Sequence, residues 1–223
     1  MKPFHLLILI CIFSTTSFAQ TGTVTLEAKT VLFPQTINKE VEKWNLAQPV
    51  YNSLTKDGKE LYYWTNYSRL NPTRFWDSVV LPVLNAFPQL NGSYSQSLKT
   101  DFLARKSLPM FKLNQTLLQT AQAHAEDISK NLGKPSHNST DGRTFGDRFK
   151  NAGLINCGGE NISFGDPKIP FLLVLLYLDY NLPGLGHRKS LLNEDFIEIG
   201  IGTAFLNVNQ IFLVQDFACN QSQ

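Results

Sequence analysis

The sequence predicts an α+β layered domain, because helical patterns fill its first two thirds while β-like runs cluster near its end. Two stretches carry that reading. Leu113, Leu117, Ala121, Ala125, Ile128 and Leu132 recur at three- and four-residue steps, and Gly133 stands where a C-terminal cap belongs. Ile199-Gly200-Ile201-Gly202 and Ile211-Phe212-Leu213-Val214 are β-like runs joined through Asn207-Val208-Asn209, which reads as an antiparallel hairpin.

The elements follow in chain order. Lys2, an apolar run from Leu6 to Phe13 and the small-residue site Ser17-Phe18-Ala19 read as an export leader over residues 1–19. The apolar run is shorter than the ~20 residues a bilayer span needs, so no transmembrane segment is expected in the mature chain. Residues 20–55, with an alternating start at Thr23-Val24-Thr25-Leu26 and no strong helical stripe, read as an N-terminal extension that adds an edge strand or stays loose. One domain is expected over residues 56–220, a length that supports a sizeable core.

Within that domain, Leu61, Trp64, Tyr67 and Ser68 share a helical face, and Asn71-Pro72 starts the next helix with Asn as cap and Pro at the first position. Phe75, Trp76, Val79 and Val80 follow, until Pro82 interrupts. Leu90 to Ser93 reads as a loop, and Ser95 to Lys106 is ambiguous between helix and coil. His124 falls beside the apolar stripe of the clearest helix and reads as a hydrogen-bonded packing residue, and the tryptophans read as core. Asp166-Pro167 is expected to cap a helix whose run Phe171 to Leu178, apolar nearly all round, marks it as buried. A further strand is expected to carry Glu160-Asn161-Ile162.

The formal charge of +2 falls to about +1 without Lys2, so nothing points to a nucleic-acid partner. Beyond the leader two cysteines remain, Cys157 and Cys219; in an oxidising compartment they read as a disulfide or as two separate buried thiols.

The chemistry concentrates between His137 and His187. Gly158 and Gly159 beside Glu160 imply a backbone approached closely or held at positive φ, hence a positioned carboxylate. Gly184 and Gly186 flank Leu185 just before His187, and a short helix is expected to follow. Asp179 ends the buried helix, where the helix dipole disfavours an acid, so another group should hold it there. Histidine and carboxylate groups ligate divalent metals, with imidazole suiting zinc, and they also activate water. No GxSxG elbow or comparable nucleophile context accompanies them.

These pieces together resemble the CAP superfamily, the SCP-like extracellular domain of cysteine-rich secretory proteins, antigen 5 and pathogenesis-related proteins, in its bacterial form. The resemblance runs in order through Asn66 to Pro72, Ala121 to Asp127, Ser136-His137 with Asp141 to Thr144 and Arg148, Gly159-Glu160-Asn161-Ile162, Asp179 to Leu192, Gly200 to Gly202 and Gln215 to Phe217. It implies a single-domain, three-layer α-β-α sandwich with an antiparallel central sheet and a large cleft. It also implies a metal-binding tetrad of His137, Glu160, Asp179 and His187, with Asp179 standing where animal and plant members carry glutamate; the paired-cysteine pattern of eukaryotic members is mostly absent, which leaves Cys157–Cys219 as the one bridge open to the chain. The function expected is a secreted binding module holding a divalent ion, zinc or calcium, and an extracellular or cell-surface ligand such as a lipid or peptide. The alternatives are a hydrolase using Glu160 or Asp179 as catalytic acid or base, and a lipid-binding protein.

Overall fold

The computed structural model describes residues 24–221. The leader expected over residues 1–19 lies outside them. Residues 24–38 carry no regular element, yet Val24, Leu26, Val31 and Phe33 pack partly buried against the main core. Among the described residues the extension therefore adds no strand. Instead it contributes a helix, α1 (Lys39–Leu46), capped by the Asn38 side chain, which accepts from the Glu40 and Val41 N–H groups. Trp44 Nε1 donates to Phe111 O at 2.9 Å, and Asn66 Nδ2 donates to Asn45 Oδ1 at 3.0 Å, fastening α1 to the domain. Its apolar stripe is too short to stand out in sequence; Val41 is its one buried apolar residue.

Helix α2 (Lys56–Leu70) begins at Thr55, whose hydroxyl accepts from Gly58 N. It buries Leu61, Tyr62 and Trp64 on one face together with Arg69. Arg69 is wholly enclosed; it donates to the carbonyls of Pro109, Leu191, Asn193 and Phe196 and lies 3.9 Å over the Phe111 ring. A buried guanidinium is tolerable because its donors are so fully used.

The next helical run does not break at Pro82 as expected. It continues through α3 (Pro72–Phe75), a π turn over Trp76–Val80 and α4 (Leu81–Ala86). Leu81 N–H reaches back five residues to Trp76 O, and the widened turn accommodates a proline that has no N–H to give. Pro72 holds the first position of α3, but the Asn71 side chain makes no cap bond. The ambiguous stretch after Gly92 is helix α5 (Ser93–Ala104), closed by reciprocal bonds between Gly92 and Ser95.

After the short strand β1 (Lys112–Leu113) comes the clearest helix of the sequence, α6 (Gln115–Asp127). It runs into a π turn at Ile128–Leu132 and stops at Gly133 in the left-handed conformation, φ 64°. Helix α7 (Phe145–Asn151) opens with a Thr144/Asp147 capping box, and β2 spans Gly158–Gly165. Helix α8 (Ile169–Leu178) is buried along nearly its whole length, as its composition requires. It starts later than Asp166-Pro167: Pro170 sits in its first turn, and Asp166 instead bonds Lys168. Helix α9 (Gly186–Leu191) and the hairpin β3 (Glu198–Asn207) and β4 (Gln210–Ala218) complete the chain.

The sheet order is β1-β3-β4-β2. β2, β4 and β3 are antiparallel neighbours, whereas β1 pairs with β3 in parallel, so the sheet is mixed rather than wholly antiparallel. The reason is connectivity: a hairpin forces antiparallel pairing only between strands joined by a tight turn, and β1 reaches β3 through four intervening helices and β2. Helix α6 covers one face. It lies so close that a Cβ at Gly200 would stand 2.0 Å from Leu117 C, and one at Gly202 would stand 2.1 Å from Ala121 O. Helices α2 and α8 and the large aromatic core cover the other face. No helix among the described residues is long and apolar enough to cross a membrane.

Candidate functional site

The site is built across β2, an edge strand. Successive side chains of a strand point to opposite faces, and Glu160-Asn161 uses both. Glu160 shares the α6 face with Ile162 and with Asp216, its register partner on β4. Asn161, on the other face, donates from Nδ2 to His187 O at 3.1 Å and so holds α9 against the strand. The flanking glycines serve close approach, not positive φ. A Cβ at Gly158 would collide with the Phe149 ring at 2.5 Å, and one at Gly159 would crowd Phe196 at 3.1 Å.

The expected residues do converge. His137, Glu160, Asp179 and His187 all line one cavity of about 630 Å³, with Gly159, Leu182, Gly184 and Ser190 completing its wall. They converge as two pairs. Glu160 Oε1 accepts from His137 Nδ1 at 2.8 Å, and Asp179 Oδ1 accepts from His187 Nδ1 at 2.5 Å. The histidine side chains are 26% and 18% exposed, while those of Glu160 and Asp179 are 1% and 0% exposed. The imidazoles face the cavity and the carboxylates stand behind them.

Each carboxylate has a second anchor. Arg148 Nη2 donates to Glu160 Oε2 at 2.5 Å, while Arg148 Nη1 ties the loop through His137 O and Ser139 Oγ. Asp179 Oδ2 accepts from Arg188 N–H at 2.9 Å. That bond is what holds an acid at the end of α8. The segment is also bent by its own backbone: Asp179, Asn181 and Leu185 all lie at positive φ, 48°, 61° and 51°. For a branched residue such as Leu185 this is an unfavourable conformation of the kind that gathers at functional sites.

His124 is the packing residue its position suggested. It is buried, donates from Nε2 to Ser136 O at 2.8 Å, and stands 3.8 Å from Glu160 Oε2. Burial, partly opposed by Glu160, shifts its imidazole below the ordinary histidine range. Burial alone would push the Glu160 carboxyl up. The His137 hydrogen bond, Arg148 and the nearby imidazoles outweigh it and hold Glu160 below the usual carboxylate range. Asp216 goes the other way: burial first, then the Glu160 charge across the ladder, push it well above that range despite the bond from Thr120 Oγ1 at 2.7 Å.

Arg148, Asn161, Arg188 and Asp216 are the residues whose parts sequence reasoning missed. An aspartate following Gln215 in the mostly apolar strand Ile211 to Ala218 was an available signal, since a buried carboxyl needs a reason. The thiols are settled as a Cys157–Cys219 disulfide, Cα atoms 5.3 Å apart, joining the start of β2 to the end of β4 beside Gly158.

As a closed four-ligand cage the tetrad does not fit. Among the described residues no group of three or more His, Cys, Asp or Glu is placed to hold an ion, and both carboxylates are spent on imidazole nitrogens. What the tetrad leaves available is a pair of imidazoles. With each Nδ1–H given to a carboxylate, His137 and His187 present Nε2, which has no protein partner among the described residues. Carboxylates behind ligating histidines fix the tautomer and the ring orientation.

The model of the cysteine-rich secretory protein family, CAP, matches residues 65–217, more than two thirds of the chain. A curated relative, Uncharacterized protein YkwD of Bacillus subtilis, is 30% identical over 99 residues, which cover 44% of this chain and 36% of that protein. Among solved structures, an extracellular protein containing an SCP domain from Bacillus anthracis is 26% identical, covering 61% of this chain and 43% of that one, with TM-score 0.43. Schistosoma mansoni venom allergen-like protein 4 is 16% identical, covering 76% and 92%, with TM-score 0.44. The chain thus spans less than half the length of these two bacterial relatives.

Proposed function

Because the chain belongs to the cysteine-rich secretory protein family, we propose that it is a secreted binding module whose cleft holds a divalent cation and, through it, an extracellular ligand. The observation that carries this is the pair of partly exposed imidazoles on one cavity wall, each backed by a buried carboxylate. His137 and His187 are the residues that would hold the ion. Glu160 and Asp179 orient them rather than ligate. A bound ion would supply a Lewis-acidic anchor for an oxygen or nitrogen group of the ligand.

The donor set favours zinc over calcium. Two imidazole nitrogens suit zinc, whereas calcium takes six to eight oxygens, which this wall does not offer. The remaining cavity is lined by Leu182, Leu185 and Ser190 beside glycines, a mixed surface for a small polar group with an apolar neighbour. The leader read over residues 1–19 is the basis for secretion.

Titration calorimetry with zinc and with calcium, on wild type, His137→Ala and His187→Ala, tests this reading. One zinc site is expected, lost in either variant, with calcium giving no comparable heat. Zinc binding that survives both substitutions unchanged would overturn it.

A further inference from the structure

The hairpin joining β3 to β4 ends in apolar side chains that the described residues do not cover. Phe205, Leu206 and Val208 are 51%, 38% and 86% exposed, and Leu132, from the turn after α6, is 36% exposed. The two elements meet here. Ser129 Oγ donates to Phe205 O at 2.9 Å, and Leu206 Cδ1 would lie 3.8 Å from a Cβ placed on Gly133. Single exposed apolar residues need no explanation, but a group from two elements does.

Local folding does not ask for these residues. A two-residue hairpin connection favours Asn, Asp or Gly, yet Val208 occupies it with Asn209. Val208 is also the most exposed large apolar side chain among the described residues. One strand neighbour, Leu206, is the extra residue of a bulge between Phe205 and Asn207. Bulges re-aim side chains, and here two consecutive apolar residues, Phe205 and Leu206, are both left to solvent.

Within the tip segments themselves the charges have one sign. Residues 129–134 and 204–211 contain Lys130 and Lys134, both exposed, and no carboxylate. Of the acids on adjoining turns, Asp166 pairs with Lys168, while Glu126 and Asp127, one turn back on α6, are hydrogen-bonded by the neutral donors Gln122, Asn131 and Thr140.

We propose that this tip docks on an anionic lipid surface, with Phe205, Leu206, Val208 and Leu132 entering the interfacial layer and Lys130 and Lys134 meeting the headgroups. Apolar insertion combined with basic flanks is the two-signal pattern that makes reversible peripheral binding stable. The tip is a projecting turn rather than a recess, which suits a surface that opens around it. The proposal is independent of the cleft. Glu160 faces Asp216, six residues along β4 from Gln210 at the hairpin, a separation of about 20 Å at ~3.4 Å per residue. A docked molecule therefore keeps His137 and His187 turned towards the medium.

The test uses the full chain carrying Cys11→Ser, with Val208→Cys labelled by an environment-sensitive fluorophore. Leu46→Cys, exposed on α1 away from the tip, serves as the control position. On vesicles of phosphatidylcholine with phosphatidylglycerol, the label at 208 is expected to shift to the blue while the label at 46 does not. A tether through the leader would leave both unmoved or move both alike. On phosphatidylcholine alone the shift shrinks. Lys130→Gln with Lys134→Gln lowers affinity for the anionic vesicles roughly tenfold or more, and Phe205→Ser abolishes the shift with the melting temperature kept. No shift at 208 on the anionic vesicles, or equal shifts at both labels, would overturn the proposal and assign the tip to a protein partner.

Discussion

The two walls of the cleft solve the same problem with different means. Each holds a histidine by Nδ1 on a buried carboxylate and keeps an arginine close by. On the first wall the guanidinium of Arg148 itself neutralises Glu160, in a cluster that also contains His124 and, across the ladder, Asp216. On the second wall the guanidinium of Arg188 never touches Asp179. Its backbone N–H does, while its side chain binds the Tyr177, Leu178 and Tyr94 carbonyls, Ser97 and Asp101. One wall is held by charge. The other is held by backbone shape, with Asp179 as a left-handed helix cap. Substitutions that keep shape but remove charge should therefore separate them.

The largest effect is expected from Glu160→Gln. It leaves Arg148 buried opposite a neutral group and weakens the His137 bond. Breaking a buried pair in this way costs about 3–5 kcal/mol, which for a domain of this size is a fall in melting temperature of roughly 10 °C, read by calorimetry.

Asp179→Asn should cost much less, about 1 kcal/mol. Asparagine tolerates the left-handed cap and still offers one oxygen to Arg188 N–H. A loss equal to that of Glu160→Gln would erase the contrast between the walls.

The smallest expected effect has the opposite sign. Asp216 is raised well above its ordinary value of 3.8, so it stays protonated in the folded protein over a range where the unfolded chain ionises. Its contribution is intact below the ordinary value and is lost as pH rises from there towards the folded value. Asp216→Asn removes that penalty, keeps an acceptor for Thr120 and offers a donor to Glu160. It should gain about 1 kcal/mol at neutral pH, with the advantage over wild type growing from about pH 4 upward in denaturant titrations. Glu160, held low, works in the other sense: its stabilisation is present above the ordinary value of 4.5 and is lost as pH falls through its lower folded value.

Much of this molecule was legible in its residues. The stripe from Leu113 to Leu132 and its glycine stop, the buried helix at Phe171 to Leu178, the closing hairpin and the strand through Glu160 all appear where their patterns place them. These are elements whose periodicity is dictated by burial. The misreadings fall where neighbours override local signals. Pro82 looks like a stop because sequence does not show that a π turn has already widened the ladder. α1 lacks a stripe because a single valine and two polar anchors, Trp44 and Asn45, suffice to hold it. The parallel strand β1 depends on a distant partner.

The site follows the same division. The glycines beside Glu160 announced a close approach, and the acid at the end of α8 announced a holder, and both are found. That the acids serve the histidines, and that Arg148 and Asp216 stand behind Glu160, depends on strand register and burial, which no spacing encodes.

The central claim is that both imidazoles present Nε2 to one cavity. Long-range nitrogen–proton NMR of the histidine rings, with and without zinc, tests it most directly. The expected result is Nδ1-protonated tautomers for His137 and His187 without metal, then perturbation of both Nε2 signals together by one equivalent of zinc while His124, protonated on Nε2, stays unmoved. An Nε2-protonated tautomer at either cleft histidine, or a zinc response confined to one of them, would contradict the account.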